Sequence, residues 1–165
     1  MNGAVIIREA LPDDAEGLGR CHLACWREAY TGLVPQDRLD VVLAAIDERV
    51  ERWRRILAGF PGRLLAEDAG DVVGFAAAGA SRDDDLALDQ ELYALYVRQA
   101  YWGTGLGHLL ITAAIGEAAA SLWVFRDNAR ARRFYAAHGF VPDGSEKLEP
   151  YFERLEIRMV RSALP

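Results

Sequence analysis

The chain has only two cysteines among its 165 residues, and Cys21 and Cys25 lie four positions apart. On a helix this spacing puts both thiols on one face, where a disulfide would strain the helix geometry. No further cysteine supplies the spacing of a metal site. We therefore expect two small buried side chains here and no bound metal.

Long apolar runs and basic clusters are also lacking. No apolar stretch approaches the roughly 20 residues of a membrane span, and the opening residues MNGA do not resemble an export signal. The net charge is −6, without the basic patch that is typical of nucleic-acid binding. We expect a cytoplasmic protein that binds neither membranes nor nucleic acid. An apolar fraction of 52% suits a single domain, residues 1–165.

Periodicity and turn residues predict an α/β fold, with a mixed sheet and helices on both faces. The predicted strands cover residues 4–9, 63–67, 72–80, 91–97, 122–125, a segment that opens at Phe140, and 154–160. The predicted helices run from Pro12 to about Thr31, over 36–58 with a break near Asp47, over 105–120, and over 128–138.

A glycine-rich turn, Trp102–Gly107 with the sequence WGTGLG, lies between the predicted strand 91–97 and the next helix. Glycines let backbone N–H groups approach a ligand closely, and a helix N-terminus favours an anion such as a diphosphate. A turn without a ligand and a dinucleotide-binding turn remain alternatives on this evidence. A dinucleotide fingerprint normally belongs to an early βαβ unit whose second strand ends in an acidic residue, whereas Arg126 follows strand 122–125 here.

Two stretches at this spacing carry a family resemblance. Leu95–Gly107 is similar to the coenzyme A pyrophosphate loop of the GNAT superfamily of N-acetyltransferases, and Asn128–Phe140 resembles that family's Asn-x-x-Ala-x-x-Phe-Tyr-x-x-x-Gly-Phe helix. The resemblance covers essentially the whole chain. Trp102 departs from it, because the family most often has Arg or Gln at that position. The phosphate contacts are then expected from backbone amides.

The resemblance implies that strands 91–97 and 122–125 splay apart and that acetyl-coenzyme A inserts between them. The residues implied in binding it are Leu95, Tyr96, Val97, Trp102, Gly103, Thr104, Gly105, Leu106, Gly107, His108, Asn128 and Arg130. Helix capping alone also explains Asn128, and a solvated helix face with Arg132 and Arg133 also explains Arg130. Family members are often dimers, so a homodimer is possible.

The same resemblance implies an amine acceptor, either a small molecule or a protein amino group. Tyr135 is the expected general acid for the leaving thiolate, with a packed core aromatic residue as the alternative. Glu91 is the expected base, with a pKa raised by burial; a solvated carboxylate is the alternative, and some family members need no single base. We expect Trp26, Tyr30 and Tyr93 to line the acceptor site. The acidic loop Asp83–Asp85 either attracts a cationic amine or is simply solvated.

A second class of function is also compatible with these motifs. A catalytically silent sensor or interaction domain that binds acyl-coenzyme A could retain both the glycine turn and Tyr135. Transfer of another acyl group, or to an alcohol, is a third possibility.

Overall fold

The computed structural model describes residues 4–163. Met1–Gly3, which were considered above for an export signal, and residues 164–165 of the expected domain lie outside the described residues. The strands are β1 (Ile6–Glu9), β2 (Leu64–Asp68), β3 (Asp71–Ala80), β4 (Gln90–Val97), β5 (Ala120–Phe125), β6 (Val141–Glu149) and β7 (Arg154–Arg161). The helices are α1 (Ala15–Tyr30), α2 (Gln36–Ala44), α3 (Ile46–Gly59), α4 (Leu106–Ile115) and α5 (Ala129–Ala137).

The strands form one sheet in the order β1-β2-β3-β4-β5-β7-β6. All neighbouring strands are antiparallel except β4 and β5, which run parallel and pair only at Glu91 and Ser121. Beyond that point the two strands diverge and leave an unpaired edge on each. The mixed sheet and the splayed central pair confirm the predicted fold class.

Helices cover both faces of the sheet. On one face, α1 and α3 pack with Leu65 and Phe75, and their core includes Leu18 and Trp53. On the other face, α4 packs with β4, β5 and β7 around Ile111 and neighbouring buried residues. Because apolar side chains on both faces are covered, the diverging strands form a cleft between two packed layers.

Two helix boundaries differ from the prediction. The break in the second helical region falls at Ala45, between α2 and α3, two residues before Asp47. Helix α4 ends at Ile115 because Gly116 takes a φ of +51°, and residue 120 already begins β5. The predicted helix over 105–120 was therefore several residues too long at its C-terminus.

Cys21 and Cys25 are both free and buried in α1, as the spacing predicts. Their sulfur atoms lie 3.9 Å apart. Burial and the neighbouring thiol raise the pKa of Cys25, with the hydrogen bond to Cys21 as the largest cause. Within residues 4–163, no helix is both long and apolar enough to span a membrane.

Candidate active site

A cavity of about 470 Å³ opens where β4 and β5 diverge. Its walls come from both strands, the glycine turn, α1, α5 and one residue of β7. The wall includes these predicted cofactor residues: Leu95, Tyr96, Val97, Trp102, Gly103, Gly105, Gly107, His108, Asn128 and Arg130. The other two predicted residues lie elsewhere, because Thr104 is exposed and bonds the Tyr101 carbonyl while Leu106 is buried in the core.

The glycine turn presents backbone to the cavity. Gly103 and Gly105 have φ angles of +76° and +91°, which side chains rarely adopt, and a Cβ added at either would meet nothing within 4 Å. Gly105 is the N-cap of α4, and no side chain caps that helix. The first amides of α4 therefore have no side-chain acceptor from the helix's own cap and face an open cavity, which suits an anion.

Trp102 is fixed by two contacts within the site. Its indole Nε1 donates to the Val97 carbonyl over 2.8 Å. The guanidinium of Arg130 stacks on its ring, with Cζ 3.8 Å from the ring centroid. Burial lowers the pKa of Arg130, although an arginine stays charged at neutral pH. The indole thus holds a cation in the cavity wall, at the position where the sequence resemblance led us to expect arginine or glutamine.

The free edge of β4 offers few backbone groups. The Arg98 amide donates to Val73 in β3 over 2.9 Å, and the direction of backbone groups alternates along a strand. The groups of Val97 and Leu95 therefore point toward β5, into the cleft. Since Trp102 occupies the Val97 carbonyl, Leu95 keeps both an N–H and a C=O available at this edge.

Tyr135 lines the same cavity from α5. Its ring packs against Phe134 and Phe140, with centroids 5.4 and 6.0 Å away. Burial raises the pKa of Tyr135 well above its ordinary value, so the phenol holds its proton at neutral pH. Among residues 4–163, no hydrogen bond engages the Tyr135 hydroxyl, which leaves a proton donor in the wall.

The predicted acceptor residues are divided between the wall and the core. Tyr30 lines the cavity, and its hydroxyl lies 2.7 Å from that of Tyr96. Burial is the main cause that raises the pKa of both phenols. Tyr93 also lines the cavity, whereas Trp26 packs behind Tyr30 with ring centroids 5.6 Å apart. A role for Trp26 in acceptor binding would have to be indirect.

Glu91 is buried, but its carboxylate is engaged by one arginine. The Arg82 side chain donates to Oε1 over 2.5 Å and to Oε2 over 3.1 Å, and the Arg82 amide donates to Oε2 over 3.0 Å. Burial alone would raise the pKa of Glu91, but the hydrogen bonds and charge of Arg82 outweigh it and leave the pKa below its ordinary value. The expected rise was therefore wrong in direction. Glu91 is also not among the residues that line the cavity, and its role as a base stays a prediction.

Two carboxylates of the acidic loop before β4, Asp83 and Asp85, form ion pairs, whereas Asp84 is exposed. Arg158 in β7 is buried and lies 2.7 Å from Asp85 and 3.5 Å from Asp83. Asp83 also accepts a hydrogen bond of 2.9 Å from the Trp123 indole. Because these carboxylates already have cationic or N–H partners, they are poorly placed to attract an amine.

Several wall residues were not predicted from the sequence, among them one tryptophan and one glutamate. Trp123 in β5 and Glu156 in β7 both line the cavity. The alternation of β7 puts Glu156 on the face opposite the buried Ile157 and Met159, a pattern that normally indicates solvent. This face lies beside a cleft because β7 pairs with β5, which diverges from β4.

Comparison with known proteins agrees with this geometry. Residues 24–140 match the acetyltransferase (GNAT) family. An uncharacterized N-acetyltransferase of Bacillus subtilis, YuaI, is 28% identical over 131 residues, which cover 75% of this chain and 73% of that protein.

Two solved structures share the fold. The PaiA N-acetyltransferase of Thermoplasma acidophilum, in complex with coenzyme A, has a TM-score of 0.69 at 18% identity and covers 94% of this chain and 98% of its own. The yncA protein of Salmonella typhimurium, a putative acetyltransferase with acetyl-CoA, has a TM-score of 0.66 at 20% identity, with coverage of 99% and 96%. Since the family match spans well over half of its residues, this chain belongs to the GNAT family and is an acetyltransferase.

Proposed function

We propose that this protein transfers the acetyl group of acetyl-coenzyme A to a primary amine of a small molecule, peptide or protein. The observation that carries the proposal is that Tyr135, a protonated phenol, lines the same cleft as the glycine turn Trp102–Gly107. The same cleft therefore offers a turn that suits a diphosphate and a side chain that can donate a proton. The structural relatives that hold coenzyme A or acetyl-CoA support this choice of donor.

The residues present fit such a donor. The uncapped amides of α4 and the open space above Gly103 and Gly105 suit a diphosphate. The free backbone groups of Leu95 suit the amides of an extended pantetheine arm, which would add to β4 as a strand does. Arg130, held on Trp102, adds a positive charge to the same wall.

The chemistry needs direct attack of a neutral amine in a complex that holds both substrates. The amine nitrogen forms the new C–N bond, the C–S bond breaks, and Tyr135 gives its phenol proton to the departing sulfur. The nitrogen loses a proton as the amide forms, and that proton restores the phenol. Holding the two reactants together in one cleft supplies the proximity that the uncatalysed reaction lacks.

The test uses purified protein, acetyl-CoA and a panel of amines, with free thiol and acetylated product followed together. Thiol release that depends on an acceptor, with product confirmed by mass spectrometry, is the expected result. Acetyl-CoA binding by calorimetry without acceptor-dependent release would contradict the proposal and favour the silent sensor. A homodimer, which the family resemblance suggests, stays a prediction that sedimentation can check.

A further inference from the structure

The carboxylate of Glu156 is the one acidic group among the cavity-lining residues of the described chain, 4–163. It lies on β7, opposite Phe125 of β5 and Lys147 of β6. The side chain keeps only 20% of its exposure. Across residues 4–163 no hydrogen bond holds its oxygens, in contrast to Glu91, which Arg82 engages three times. The Glu156 carboxylate in the cleft can therefore still accept hydrogen bonds from a ligand.

The surroundings of Glu156 are mainly aromatic. The cavity wall beside it includes Tyr30, Tyr96, Trp123 and Phe125. Tyr30, Tyr135 and Glu156 line the same cavity. An acceptor that reaches Glu156 is thus in one cavity with the proposed proton donor and is surrounded by rings.

Lys147, the only lysine of the chain, already places an ammonium group beside Glu156. Its ammonium nitrogen lies 3.9 Å from Oε2 of Glu156 and 4.0 Å from the centroid of the Trp123 ring. The ion pair is longer than a charge-assisted hydrogen bond, and the lysine side chain is 46% exposed. A carboxylate and an indole face therefore already accept an ammonium group, loosely enough for a second one to join or replace it.

We propose that Glu156 binds the protonated amine of the acceptor and accepts one of its protons, so that the acceptor is a cationic primary amine carried on an apolar group. This inference rests on the proposed function and names the substrate class for the same site. The ammonium gives one proton to the Glu156 carboxylate, which later releases it to water. The neutral amine then attacks, and its second proton follows the path through Tyr135 described above.

The charged groups that face Glu156 come from several elements. Burial raises its pKa, and Glu149 of β6 adds to the rise, while Lys147 of β6 and Arg82 of the β3–β4 loop oppose it. The phenols of Tyr30 and Tyr96 face it from α1 and β4. The net direction is upward, toward the pH at which a carboxylate becomes a more effective base.

Glu156→Gln tests the inference, with Glu146→Gln as the matched control. Glu146 is an exposed residue of the neighbouring strand β6, and its substitution removes the same charge. The acceptors are 2-phenylethylamine, benzylamine and hexylamine, which are cations at neutral pH, and aniline, which is not. For the cationic amines we expect Glu156→Gln to lower kcat/KM by about 100-fold and to replace the acid limb set by Glu156 with one set by the higher pKa of the free amine. Aniline should lose much less, and acetyl-CoA affinity by calorimetry should be unchanged.

Three results would overturn the inference. The first is a wild-type enzyme that acetylates aniline but none of the cationic amines. The second is a Glu156→Gln enzyme that keeps the activity and pH profile of the Glu146→Gln control. In both cases the protein is still an acetyltransferase, so the proposed function stands. The third is a wild-type protein that binds acetyl-CoA but whose thiol release no amine of the panel increases, and that result removes the proposed function together with the inference.

Discussion

The guanidinium carbon of Arg130 lies 3.8 Å from the centre of the Trp102 ring, and the indole of Trp102 is itself fixed to the Val97 carbonyl. The two residues come from different elements, the turn before α4 and the first turn of α5. Their stacking brings a positive charge to the glycine turn. Trp102 is therefore a support for a cation in a position where an arginine or glutamine is more usual.

Removing either partner of this stack should weaken acetyl-CoA binding. For Arg130→Gln and Trp102→Ala we expect losses of about 0.5–2 kcal/mol each by calorimetry, and the double variant should lose less than the sum because the two act as a unit. Arg133→Gln is the control, since Arg133 is on the same helix and exposed. Additive losses in the double variant would show that the two residues contribute to binding independently.

Gly105→Val should abolish or strongly weaken acetyl-CoA binding, because the side chain would occupy the space above the helix amides. Backbone strain is the competing explanation, since Gly105 has a φ of +91°. Gly70 has the same φ of +91° and equally open surroundings, but it lies in the β2–β3 turn. Gly70→Val should therefore lose comparable stability, roughly 1–3 kcal/mol, and keep its affinity. Equal affinities in the two variants would place the diphosphate elsewhere.

Glu91→Gln should lower stability at pH 7 by about 1–2 kcal/mol, a discounted value because Arg82 is mostly exposed. The pKa of Glu91 is below its unfolded value, so the ion pair stabilises the fold above the unfolded pKa. That stability is lost as the pH falls through the lower, folded pKa. Urea denaturation at pH 7 and at pH 4 or below should show the difference from wild type shrinking in acid.

The same variant also tests Glu91 as the base. If Glu156 serves in that role, Glu91→Gln leaves the acid limb of the kcat/KM profile in place. A shift of the limb to the pKa of the free amine in Glu91→Gln, with the limb of Glu156→Gln left as in wild type, would restore the assignment made from the sequence.

Lys147→Met should move the acid limb of kcat/KM to higher pH, because a cation that lowers the pKa of Glu156 has been removed. It should also reduce KM for cationic amines by about two- to fivefold, the scale of an exposed ion pair. Lys147→Arg keeps the charge and should resemble wild type. A limb that stays at the same pH in Lys147→Met would show that it does not report Glu156.

The sequence predicted the parts of the site that depend on local geometry. Glycines at 103 and 105 before a helix, and Asn128 as the cap that accepts from the Ala131 amide over 3.1 Å, are features of single elements. Their chemistry follows from the backbone conformation that those residue types permit. The family resemblance added which two strands would diverge.

The parts that could not be predicted depend on contacts between distant segments. The sign of the Glu91 pKa shift is decided by Arg82, whose loop conformation leaves no periodic pattern in the sequence. Glu156 has the alternation of a solvent-facing residue and lies in the cleft because β7 pairs with β5 and β5 diverges from β4. Trp26 and Tyr30 belong to one apolar helix face, and only the packed structure separates core from wall.

Tyr135 is the residue on which the proposed acetyl transfer depends most directly, and the Tyr135→Phe variant removes only its hydroxyl while the ring keeps its packing against Phe140. The measurement is kcat with an accepted amine, made beside the acetyl-CoA dissociation constant by calorimetry. We expect kcat to fall by about 100-fold, as for loss of a general acid, with the dissociation constant within about threefold, or roughly 0.7 kcal/mol. A Tyr135→Phe enzyme with wild-type kcat would contradict the account.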